Sequence, residues 1–278
     1  RDYYASRGLG DVYKRQGIPT GAITAEAAAT SAAEQNNLTE NIQDGTILHC
    51  WCWSFDTIKN NMADIAAAGF STIQTSPANE VNDSCPTMKI MGNDPKNGTD
   101  GCWWWQYQPK DYKIGNYMLG SRDQFKAMCE EAHKYGVKVI VDVVPNHMTP
   151  DHNYISQNFI NAIGGWDNLY HSNAYNEVSN WNDRYQVTTG MFSGLPSNNT
   201  ENKAFQAYFV KYLNDLIACG ADGFRYDAAK HISLPDERKD PKSPENDFWP
   251  VVTGQKSVNG VSLSNTSVFH YGEVLQGD

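Results

Sequence analysis

The 278-residue sequence has no apolar run approaching the roughly 18 residues that a membrane-spanning helix needs. Positive charge is scarce. Lys and Arg total 22 against 32 Asp and Glu, a formal net charge of −10, which disfavours nucleic acid and anionic membranes as partners. Cysteine is sparse and poorly spaced for zinc, being limited to Cys50, Cys52, Cys85, Cys102, Cys129 and Cys219. No Gly-rich phosphate loop follows any strand pattern, so a nucleotide-binding fold is disfavoured.

Aromatic residues, by contrast, are plentiful at 12%, with eight Trp and fifteen Tyr. Core packing is their default use, and stacking on sugar faces is a second. Cys129 and Cys219 fall on apolar helix faces and read as core thiols, while Cys50 and Cys52 would share one face of a strand. Cys85 and Cys102 bracket a polar loop and could pair in an oxidising compartment.

Taken in order, residues 1–16 read as adaptor or junction sequence, and residues 17–44 as an Ala-rich leader with a signal-peptide remnant. A repeating unit begins at Gly45. Thr46–Trp51 reads as a buried strand, followed by a helix capped by Asp56 with Ile58, Met62 and Ile65 inward. Ser71–Ser76 is a second strand, and a long loop runs from Pro77 to about Tyr117. Ser121 and Gln124 form a capping box that opens a helix with Phe125, Met128, Cys129 and Ala132 inward. Val137–Val144 is almost continuously apolar, as a strand covered on both faces requires. A second polar excursion, 145–201, precedes a long amphipathic helix over Ala204–Cys219, which Gly220 stops. Gly223–Asp227 and Val268–Val274 supply the last strands. Strand, helix, strand with polar loops after the strands means parallel β/α units, in a barrel or a doubly wound sheet. About five strands are present, too few for a closed eight-stranded barrel.

Three acids, Asp142, Asp227 and Glu273, fall at or near strand ends, among His147, Arg225, Lys230 and His231. The carboxyl end of a parallel strand is where such folds do chemistry. A carboxylate pair flanked by aromatics suits glycoside hydrolysis. Asn146 and His147 could equally belong to a metal-dependent hydrolase, and a binding module also remains open on spacing alone.

Asp142-Val-Val-Pro-Asn-His147, Gly223-Phe-Arg-Tyr-Asp-Ala-Ala-Lys-His231 and Tyr271-Gly-Glu-Val274 resemble three ordered motifs of the α-amylase family of glycoside hydrolases. Leu48–Phe55, Gln74–Pro77, Tyr107–Pro109 and Gly272–Gln276 are similar to the secreted bacterial saccharifying type, as in Bacillus subtilis. The resemblance covers roughly Gly45 to Asp278. It implies a (β/α)8 TIM barrel with strands 1–3 in 45–144, a small domain B in 145–201 and strands 4–5 in 202–278. It implies retaining hydrolysis of α-1,4-glucans, with Asp227 as nucleophile, Glu273 as general acid/base and Arg225 orienting Asp227. Tyr107, Gln108, Trp104, His147, Lys230 and His231 are expected to touch substrate, and Asp142 to support the cluster from behind. It also implies a structural calcium held by Asn146, Thr188, Ser197 and His231, weakened because Ser197 stands where the pattern has Asp. Secretion is expected, as is a monomer when complete. A third catalytic carboxylate is expected beyond Asp278, so the chain by itself is expected to be inactive. The rival is a non-catalytic starch-binding relative, which would have no need of both Asp227 and Glu273.

Overall fold

A computed structural model describes residues 33–83 and 103–275. Its strands are β1 (Ile47–Cys50), β2 (Thr72–Thr75), β3 (Asn79–Val81), β4 (Pro109–Asn116), β5 (Gly120–Ser121), β6 (Lys138–Val143), β7 (Gly223–Tyr226) and β8 (Phe269–Gly272). Its α-helices are α1 (Phe55–Asn60), α2 (Met62–Ala67), α3 (Arg122–Lys134), α4 (Gln157–Ala162), α5 (Arg184–Thr189), α6 (Lys203–Cys219) and α7 (Phe248–Val252). Five strands form one parallel sheet in the order β1-β2-β6-β7-β8. Each crossover carries at least one helix, as parallel pairing demands. β2 and β6 are almost wholly buried, and this explains the apolar run of β6.

The helices that cover the sheet form where the sequence expects them. Ser121 Oγ accepts from the Gln124 amide at 3.2 Å and Gln124 Oε1 from the Ser121 amide at 2.8 Å, closing the capping box of α3. Phe125, Met128, Cys129 and Ala132 are its buried face. α6 is capped by Asn202 and ends at Gly220, whose φ of +114° suits glycine. A Cβ there would also lie 2.7 Å from the Cys129 Cβ, so the α3–α6 contact demands glycine a second time. Cys129 and Cys219 are both buried thiols.

Four expectations need correction. β1 is half exposed rather than buried, because β2 is its only partner among the described residues. The first helix is broken at Asn61 into α1 and α2, and Ser54 caps it, its hydroxyl accepting from Thr57. Cys52 lies beyond β1 with φ +63°, so it does not share a strand face with Cys50. The stretch read as one long loop holds β3 and β4, which with β5 just beyond it form an antiparallel sheet. Tyr112 on β4 is the reason it packs: its ring meets Phe159, Phe205 and Phe209 edge-on at 5.5, 5.8 and 5.0 Å, and its hydroxyl donates to the Val144 carbonyl. The proposed Cys85–Cys102 pairing lies outside the described residues.

Candidate active site

Side chains alternate along a strand, so Arg225 and Asp227, two residues apart, leave β7 on the same face. In register beside Arg225 are Asp142 on β6 and Tyr271 on β8. The ladder continues one residue past the strands: the Asp227 amide donates to Val143 and the Glu273 amide to Tyr226. Phe224 and Tyr226 take the opposite face, where they are buried. The alternation therefore gathers Asp142, Arg225, Asp227 and Glu273 at the carboxyl end of the sheet.

Their contacts centre on one guanidinium. Arg225 Nη1 donates to both oxygens of Asp142 at 2.9 and 2.8 Å and to Asp227 Oδ1 at 2.8 Å. Arg225 Nη2 lies 3.0 Å from Glu273 Oε1, and the Ala228 amide donates to Glu273 Oε2 at 3.0 Å. Burial pushes the Asp142 carboxyl well above the usual carboxylate range, while Arg225 pulls it back. Burial likewise raises Asp227, to about 6; Arg225 opposes this, and the charge of Glu273 and a hydrogen bond with it add to the rise. Burial works against the charge on Arg225, but its carboxylate partners outweigh it and raise its pKa.

Tyr107 Oη donates to Asp142 Oδ2 at 2.9 Å, so a tyrosine from the segment before β4 closes over the cluster. His147 is 3% exposed, and burial lowers its pKa to about 4, leaving it neutral. Its Nε2 donates to the Tyr107 carbonyl at 2.9 Å and its Nδ1 accepts from Asn146 Nδ2 at 3.3 Å. Both ring nitrogens thus have protein partners, and contact with a ligand would require an exchange. Gln108 is half-buried beside Tyr107, and Trp103 and Trp104 are exposed at 43% and 44%, with Trp103 edge-on to Tyr107 at 6.0 Å.

The turn after β7 supplies the opposite wall. Lys230 Nζ donates to the Leu275 carbonyl at 2.8 Å and stands 5.4 Å from the Trp181 ring. His231 Nδ1 donates to the Val187 carbonyl at 3.0 Å, and its ring stacks on Phe192 at 4.6 Å. Sequence reasoning missed Trp181, Phe192 and Arg184, which come from the 145–201 excursion and show no periodic signal. Arg184 grips Glu237 through Nε and Nη2 and donates from Nη1 to the Lys230 carbonyl at 2.6 Å.

The residues expected to hold a cation lie where the excursion meets the sheet, and all are buried. Among the described residues Asn146 Oδ1 has no hydrogen-bond partner, which leaves its lone pairs open to a ligand. Ser197 Oγ is 3.0 Å from His171 Nδ1, and His171 Nε2 is 2.5 Å from Glu201 Oε2. Sequence reasoning missed this buried pair. Among the described residues no group of three or more His, Cys, Asp and Glu could hold a metal, and the four residues expected at this site would offer only neutral oxygens.

The alpha-amylase catalytic-domain family model matches residues 85–270. The chain is 46% identical over 246 residues to an alpha-amylase of Butyrivibrio fibrisolvens, covering 86% of this chain and 24% of that protein. It is 37% identical over 254 residues to one of Clostridium acetobutylicum, covering 89% of this chain and 30% of the relative. It therefore spans about a quarter to a third of these relatives. Among solved structures, alpha-amylase from Geobacillus thermoleovorans, complexed with acarbose, superposes with TM-score 0.62 at 20% identity, over 85% of this chain and 48% of that one. A mutant alpha-amylase I from Eisenia fetida, in complex with maltohexaose, gives 0.63 at 23% identity, over 83% and 45%. At these identities the structural likeness speaks for the fold, a (β/α)8 barrel of which five strands are seen here.

Proposed function

This chain belongs to the α-amylase catalytic-domain family, and from that premise we propose that the protein carrying it hydrolyses α-1,4-glucans with retention of anomeric configuration. The observation that carries the proposal is the pair Asp227 and Glu273, held by Arg225 at the carboxyl ends of adjacent parallel strands. Asp227 attacks the anomeric carbon as the glycosidic C–O bond breaks, and Glu273 gives its proton to the departing oxygen. Glu273, now a base, takes a proton from water, which attacks the same carbon and releases Asp227. A retaining pair works at about 5–5.5 Å, and here Arg225 contacts both carboxyls.

Tyr107, Gln108, Trp104 and His147 would line one side of the bound sugar, and Lys230 and His231 the leaving-group side. Asp142 supports Arg225 and Tyr107 from beneath and does not react. Calcium would rest on Asn146 Oδ1, the carbonyls of Thr188 and His231, and the spare lone pair of Ser197, tying the excursion to the sheet. The absence of a carboxylate makes it a weak site. A polymeric substrate cannot enter a cell, which supports secretion.

The test is proton NMR of the full-length protein acting on maltoheptaose. New α-anomeric ends appearing before mutarotation are expected. Initial β-anomers would rule out Asp227 as nucleophile, and binding without cleavage would favour a non-catalytic starch binder.

A further inference from the structure

The reaction uses nothing from an aromatic surface in the excursion between β6 and β7. His152, Trp166, Asp167, Tyr170, Tyr175 and Lys242 line a cavity of ≈ 480 Å³, which shares no residue with the small cavity beside Glu273. The rings are held in fixed orientations. His152 stacks on Trp166 at 4.8 Å and on Tyr170 at 5.5 Å, with interplanar angles of 21° and 22°. Tyr175 meets Tyr170 edge-on at 5.4 Å, and the hydroxyls of both tyrosines lie 3.2 Å from His152 Nε2. Lys242 Nζ donates to the carbonyls of Asp167 and Tyr170 at 3.0 Å each, fixing the segment beneath the rings.

Core packing does not account for this set. Tyr170 is buried, but Trp166 is 38% and Tyr175 57% exposed, so two rigid aromatic surfaces are open to solvent. An exposed carboxylate, Asp167, sits next to Trp166. Apolar ring faces beside a hydrogen-bond acceptor suit a neutral polyol whose C–H face is apolar and whose rim carries hydroxyl donors. A net charge of −10 speaks against an anionic ligand.

We propose that this surface is a second, non-catalytic site for an α-1,4-glucan chain, with sugar rings on Trp166 and Tyr175 and hydroxyls donating to Asp167. The choice of occupant rests on the function proposed above. A second contact with the same polymer makes capture at the active site effectively intramolecular, and linked sites of this kind can raise avidity by roughly 10²–10⁴. A substrate too short to reach both sites gains nothing.

The test compares the full-length protein with Trp166→Ala, Tyr175→Ser and Asp167→Asn in two assays: adsorption to granular starch, and kcat/KM on a chromogenic maltotrioside. Tyr175→Ser and Asp167→Asn alter exposed groups and leave the His152 stack in place, which guards against misfolding. Adsorption about tenfold weaker in the variants, with maltotrioside turnover within twofold of the parent, is expected. Unchanged adsorption, or parallel loss in both assays, would overturn the second site while leaving hydrolysis standing. A parent that adsorbs without cleaving, with weaker adsorption in the variants, would support the site and remove only the hydrolytic reading. A parent that does neither removes both.

Discussion

Arg225 faces three carboxyls with a single positive charge, and much of the chemistry follows from that imbalance. Asp227, raised to about 6, must be ionised to attack, so kcat/KM should fall about tenfold per pH unit below pH 6. The same shift has a stability consequence of opposite sign. A carboxyl whose folded pKa is raised contributes stability that is full below its unfolded value and is lost as pH rises through the folded one. Asp227→Asn should therefore match the parent near pH 4 and exceed it by on the order of 1 kcal/mol at pH 7, while losing about four orders of magnitude in turnover. Thermal melts between pH 4 and 7 and maltoheptaose kinetics check both arms, and retained turnover would sink the assignment. Ser197 is the second residue with a readable consequence. Ser197→Asp should raise Tm more in calcium than in chelator, since a ligand stabilises only the state it binds. Equal shifts in the two buffers would take residue 197 out of the cation site.

At the scale of elements, what could be read in advance was whatever repeats. Phe205, Phe209, Tyr212, Leu213 and Leu216 recur at helical spacing and are the buried face of α6, and Val139, Val141 and Val143 alternate on β6 with Asp142 on the other face. That Asp227 and Glu273 would stand side by side was legible because each directly follows the end of a strand, β7 or β8, and those strands pair in register. β3 and β4 were not legible. Pro109, Gly115 and four charged or amide side chains make β4 look like loop, and only the contacts of Tyr112 with distant aromatics make it a strand. Arg184 was invisible for the same reason, since its partners Lys230 and Glu237 lie 46 and 53 residues away. That grip spans from α5 to the turn after β7, making Arg184 a positioning residue for Lys230 and His231. Arg184→Ala should raise KM for maltoheptaose about tenfold with a smaller change in kcat, and Arg184→Lys should not rescue it, because lysine cannot donate bidentately. An unchanged KM would mean that the turn holds itself.

For the whole molecule, the five-stranded arc has a physical cost. Among the described residues β1 and β8 each have one partner, so both present unpaired backbone edges. Beside β8 lies a groove of ≈ 460 Å³ lined by Tyr226, Ile232, Leu234, Trp249, His270 and Val274, and Ile47, Leu234, Val274 and Leu275 are exposed at 37%, 48%, 56% and 65%. A closed barrel has no edges, because each strand is hydrogen-bonded on both sides. Residues 45–278 expressed alone should therefore associate through these edges and release no reducing ends from starch. Joining them to the sequence that follows the shared region in the Butyrivibrio fibrisolvens relative, 46% identical over that region, should give a monomer that does. Sedimentation and a reducing-sugar assay decide it. A monomeric, active 45–278 would show that the arc is self-sufficient and that Asp227 and Glu273 need no third carboxylate. An inactive but monomeric chimera would leave the edge argument intact and remove the assignment of the reactive pair.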